Sequence, residues 1–113
     1  MSAITTHILD TALGKPATGV PVRLSKQEGE RWTALGAGQT DSDGRLRTLL
    51  PAGEILQAGI YRIRFDTNEY FAKSAIQAFY PLVEITFEVR ESGGHYHLPL
   101  LLSPFGYSTY RGS

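Results

Sequence analysis

The side chains able to do chemistry in this chain make a short inventory: three histidines (His7, His95 and His97), the arginines with Arg45 after a tight turn, six tyrosines and the serines. An imidazole can take up and release a proton near neutral pH, and it can also ligate a metal. His95-Tyr96-His97 offers two imidazoles from one strand, but a metal site needs a third ligand and His7 is the only other histidine. Metal binding is therefore the weaker reading, and the expected metal set is none. No Gly-x-Ser-x-Gly elbow, Gly-rich phosphate loop or HExxH helix is present. The absence of cysteine removes disulfides, thiolate nucleophiles and cysteine-held metals. Eleven Lys and Arg balance eleven Asp and Glu, so no charge excess drives binding to nucleic acid or an anionic bilayer.

The elements that must position these groups read as an all-β sandwich within one domain spanning residues 1–113. Twelve glycines and six prolines fall between short apolar runs, and no long helical periodicity occurs. Ile4 to Leu9 is a first strand, closed by Leu13-Gly14-Lys15-Pro16. Val20, Val22 and Leu24 alternate with Pro21 and Arg23, and Pro21 argues for an edge position. Arg31 to Gln39 follows the Glu28-Gly29-Glu30 turn, with Trp32 as a packing residue. Asp41-Ser42-Asp43-Gly44 is a tight turn leading into Arg45-Leu46-Arg47. Gly59 to Asp66 turns Tyr61, Ile63 and Phe65 inward. Thr67 is expected to cap one short helix over Asn68 to Ser74. Leu82 to Arg90 is the next strand, and Gly93-Gly94 reads as a hairpin turn.

The last strands are His95 to Leu102 and Tyr107 to Ser113. Parity puts Tyr96, Leu98, Leu100 and Leu102 in the core, and His95, His97, Pro99 and Leu101 outside. His7 likewise falls on the outer face of the first strand, beside Leu9. These outer faces are too apolar for full solvation and suggest an interface. Taken alone, His7 is equally well an ordinary edge residue. Met-Ser-Ala-Ile-Thr-Thr-His lacks the regions of a signal peptide, and no apolar run approaches the ~20 residues of a membrane span, so a soluble, cytoplasmic protein is expected.

Five stretches together resemble the transthyretin-like 5-hydroxyisourate hydrolases: Thr6-His7-Ile8-Leu9-Asp10, Gly14-Lys15-Pro16-Ala17, Thr40-Asp41-Ser42-Asp43-Gly44-Arg45, His95 through Pro104, and Tyr107 through Ser113. The ending Tyr110-Arg111-Gly112-Ser113 is the most specific of them, since it separates these hydrolases from their hormone-carrying relative. The resemblance implies a transthyretin-like two-sheet sandwich with one short helix. It implies a homotetramer around a central channel, with His7, Arg45 and His97 as catalytic residues and Tyr110 and Ser113 near the substrate. The implied reaction is opening of the small planar purine 5-hydroxyisourate by water, with no cofactor. Which of His7 and His97 acts as the base stays open. Asp10 is expected to order the turn after it, His95 to be solvent-exposed and Arg47 peripheral. Two alternatives stand beside this reading: a small-ligand carrier on the same scaffold, and a structural sandwich module.

Overall fold

The alternating apolar runs fold into two facing sheets in a computed structural model that describes residues 2–113. In chain order the elements are β1 (Ile4–Asp10), β2 (Lys15–Pro16), β3 (Pro21–Glu28), β4 (Arg31–Gln39), β5 (Arg45–Leu46), β6 (Gly59–Phe65), α1 (Thr67–Ala72), β7 (Val83–Val89), β8 (Tyr96–Ser103) and β9 (Gly106–Thr109). One sheet has the order β4-β3-β6-β7, antiparallel throughout. In the other, β1 pairs β2 and β5 along one edge and runs parallel to β8 along the other; β9 completes that side.

The core lies between the sheets. Ile4 and Ile8 of β1 and Leu98, Leu100 and Leu102 of β8 meet Val22, Leu24, Tyr61, Ile63, Phe65, Val83 and Val89 of the opposite sheet. Full burial of each such side chain contributes about 1.5–3 kcal/mol. The alternation that buries Leu98 and Leu100 turns His97 and Leu101 outward, where both stay half-buried. Trp32 packs as expected, on an edge strand, with the Arg62 guanidinium 4.2 Å over its ring.

Four local expectations are corrected. Pro21 begins an interior strand rather than lying on an edge; as the first residue of β3 it occupies the one position where a missing N–H does little harm to the ladder. Gly93-Gly94 does not close a hairpin, because β7 and β8 belong to different sheets and the glycines carry the chain across between them. Thr67 does not cap the helix. The cap is Asp66, without a side-chain bond to the helix, and Thr67 lies in the first turn with its buried hydroxyl unpartnered. The final strand stops at Thr109 instead of running to Ser113, and beyond it only Gly112 pairs, as a single bridge to His97.

Candidate active site

Three pieces of backbone converge on the outer face of the β1 and β8 strands. The parallel register sets Thr5 opposite His97 and His7 opposite Pro99. On the other side of β1, Arg45 is the register partner of His7. Arg45 is delivered there by the Asp41–Gly44 turn, in which the Asp41 carboxylate accepts the Asp43 and Arg45 amides at 2.9 and 3.0 Å. Gly44 makes that delivery possible. Its φ is +73°, and a Cβ there would sit 2.5 Å from the Ile8 carbonyl oxygen, so only glycine lets the turn press against β1.

The third piece is the carboxyl end. The Gly112 amide donates to the His97 carbonyl at 2.8 Å, and the segment lies so close that a Cβ on Gly112 would be 2.6 Å from His97 Cδ2. Ser113 is thereby brought to the mouth of a recess of about 190 Å³, whose walls include Thr5, Arg45, Arg47, His95 and His97. Arg111, pointing the other way, stacks its guanidinium 4.5 Å from the Tyr96 ring centre and ties the segment down.

His97 is the most perturbed titratable group in the recess. Its pKa is lowered, chiefly by burial, then by the positive field of Arg45 and by His7 and His95, against a smaller opposing hydrogen bond to the Thr5 backbone. The imidazole is therefore neutral at neutral pH, the form that can accept a proton. Its Nδ1 lies 2.8 Å from the Thr5 hydroxyl oxygen.

Among the five residues singled out in the sequence, the recess gathers Arg45, His97 and Ser113. His7 lies beside it on the same outer face, half-buried and close enough to affect the His97 pKa, but is not part of its wall. Tyr110 is elsewhere. It is 59% exposed and borders a separate hollow at the open edge between the sheets, with Ile85, Phe87, Tyr96 and Leu98. His95 is exposed as expected, yet it borders the recess. Arg47, expected to be peripheral, is exposed and 4.0 Å from the Asp41 carboxylate, yet it too lines the recess.

Asp10 orders its turn: buried to 1% exposure, it accepts the Ala12 and Leu13 amides and the Tyr70 hydroxyl. Burial, reinforced by the Asp10 carboxylate, pushes the Tyr70 phenol up to about 12. The residue that sequence reasoning passed over is Thr5. Its signal was parity with His7, two positions along the same strand. Among the described residues no three His, Cys, Asp or Glu side chains are placed to hold a metal ion. Among the described residues no helix is long and apolar enough to cross a membrane.

The profile of the HIUase/transthyretin family matches residues 4–112, and the chain belongs to that family. It is 50% identical over 117 aligned residues to the 5-hydroxyisourate hydrolase of Caulobacter vibrioides, with all of both chains covered. Among solved structures it is similar to Klebsiella pneumoniae 5-hydroxyisourate hydrolase, with a TM-score of 0.86 and 41% identity over the whole of both chains. It is also similar to transthyretin from Sparus aurata, with a TM-score of 0.91 and 34% identity over 99% of this chain and 97% of that one. Backbone shape thus fits the hydrolase and the transthyretin alike, while sequence identity is higher to the hydrolases.

Proposed function

We propose that the chain hydrolyses 5-hydroxyisourate to 2-oxo-4-hydroxy-4-carboxy-5-ureidoimidazoline, a step of urate breakdown. The observation that carries this reading is the meeting of a neutral His97, the Arg45 guanidinium and Ser113 in one recess, in a chain whose relatives bear that enzyme's name. Water adds to an amide-like ring carbonyl, the ring C–N bond breaks, and the proton taken from water ends on the departing nitrogen. Imidazole supplies the proton relay, shared between His97 and His7, without a metal or a covalent intermediate. Arg45 presents parallel donors to the substrate oxygens and the developing oxyanion. Ser113, which lines the same recess, is a candidate substrate contact through its hydroxyl, and Tyr110 is a second, reached from its own hollow.

A homotetramer completes the site. A recess of about 190 Å³ is smaller than the ~300–1,000 Å³ typical of ligand pockets, and the surrounding outer face is half apolar. Packing such faces around a central channel would wall the recess and exclude water. The cytoplasm is the proposed location. A carrier of small apolar ligands would share the fold, but would have no use for an imidazole and a guanidinium facing one another.

The test is direct. Urate oxidase generates the unstable substrate in situ, and its ultraviolet decay is followed with and without this protein. Accelerated decay, retained after exhaustive chelation, supports the reading. Decay at the uncatalysed rate overturns it.

A further inference from the structure

We propose that Thr5 is a positioning residue that holds the His97 imidazole as its Nδ1–H tautomer, leaving Nε2 bare as the base that takes a proton from the attacking water. The proposal rests on the hydrolase reading for the choice of tautomer and on geometry for the fixed orientation of the ring.

The ring is gripped on both edges. On one, Nδ1 meets the Thr5 hydroxyl oxygen at 2.8 Å, a contact set by the parallel register that makes Thr5 and His97 Cα partners. On the other, Cδ2 packs against Gly112, so closely that a single added carbon would stand 2.6 Å away. A half-turn of the ring would exchange Nδ1 for Cδ2. It would set a carbon against the hydroxyl and a ring nitrogen against the methylene of Gly112, losing the hydrogen bond. The side chain therefore has one orientation, with Cε1 and Nε2 as its free edge.

The position of the proton follows from what Thr5 offers. The contact between Nδ1 and the Thr5 hydroxyl can be made in two senses, the hydroxyl accepting a ring proton or donating its own. The hydroxyl can do either, but it has another use for its own proton: the His95 Nε2 stands 3.5 Å away on the far side. Accepting from His97 and donating toward His95 satisfies all three groups. Donating to His97 and accepting from His95 would instead put the His97 proton on Nε2, the edge that a base must keep bare. Thr5 is 6% exposed, so water does not compete for the bond. A neutral imidazole with Nδ1 protonated carries its lone pair on Nε2.

This separates two roles that the residues alone leave open. His97 has its proton held on the strand side and its lone pair free, which is the arrangement of a general base. The His7 imidazole, outside the recess wall, is left to act on the proton afterwards rather than on water.

The experiment reads the tautomer without substrate. Long-range proton–nitrogen spectra of the ¹⁵N-labelled full chain, recorded above the His97 pKa, distinguish Nδ1–H from Nε2–H. The parent protein and Thr5→Ser should show Nδ1–H, whereas Thr5→Val should shift toward Nε2–H. In the decay assay Thr5→Val should lower kcat about tenfold, the cost of one well-made hydrogen bond, with KM changed less than about twofold. Thr5→Ser should stay within about threefold of the parent. A parent ring protonated on Nε2 overturns the proposal, as does a Thr5→Val protein that keeps both tautomer and kcat. A rise in KM alone would make Thr5 a substrate contact instead, and equally overturns it. Should Thr5→Val not fold, the parent and Thr5→Ser spectra still decide. If the parent shows Nδ1–H but no turnover, the hydrolase reading fails while the tautomer assignment stands.

Discussion

Arg45 reaches the recess as a rigid fork, and its difference from lysine is one of shape rather than charge. Replacing it by Lys keeps the positive field but cannot reproduce two parallel hydrogen bonds to a planar substrate. Arg45→Lys should lower kcat/KM by about a hundredfold or more, the scale of losing a donor aimed at transition-state charge. Near-parental turnover in the decay assay would show that charge alone matters. For His97 the prediction concerns pH. Its folded pKa lies below the ordinary histidine value, so protonating it requires a pH lower than usual. Turnover should therefore rise with pH through a pKa below about 6.5 and be flat at neutrality. The same shift has a definite sign for stability. Between the folded and unfolded pKa values the unfolded chain binds more protons, so the His97 contribution is fully present above the unfolded pKa and declines as pH falls through that window. A pH–rate profile and a pH series of denaturant midpoints check the two halves separately.

At the scale of the element, the carboxyl-terminal segment is the part whose removal should separate activity from stability. Beyond Thr109 it holds on by one bridge at Gly112 and by the Arg111 stack on Tyr96. An exposed cation–π contact contributes about 0.5–1 kcal/mol, and no core side chain lies in this stretch. Deleting Arg111 to Ser113 should cost most of the turnover while moving the unfolding free energy by about 1 kcal/mol. Gly112→Ala should act in the same direction more mildly, by forcing the segment off the His97 ring.

The segment also marks where sequence reading stopped. Strict alternation exposed the inward faces of β6 and β8 and placed His7 and His97 outside, because a half-buried strand writes its orientation into every second residue. Alternation through Tyr110 failed once the ladder ended and Arg111 turned back to Tyr96. Partners are likewise invisible to local pattern. A Gly-Gly pair serves a hairpin and a crossover equally, and a threonine one residue inside the helix start looks the same in sequence as one at the cap. Parity with His7 could place Thr5 on the outer face, but not its contact with His97, a partner 92 positions away.

For the whole molecule, the expectation is assembly. His7, Leu9, His97 and Leu101 remain only half-buried on a single chain, and the recess that His97 lines is open to one side. Sedimentation should give a particle of about four times 12.4 kDa, and turnover per chain should fall on dilution through dissociation. A fully active monomer would contradict the channel. The parallel pairing of β1 with β8 has a consequence of another kind, in time. The β3–β4 ribbon and its neighbour β6 join segments that leave the ribosome close together, whereas β1 emerges among the first residues and finds its partner only after nearly the entire chain has been made. At ~5–20 residues per second that wait is on the order of ten seconds. Pairings of long sequence separation also close late in refolding, since the entropy of the loop must be lost before the contact forms. Pulsed hydrogen exchange should protect β3 and β6 before β1 and β8. The strand that carries Thr5 and His7 is thus synthesised early and docked late, and the nascent chain must keep an apolar strand from finding the wrong neighbour until the right one exists.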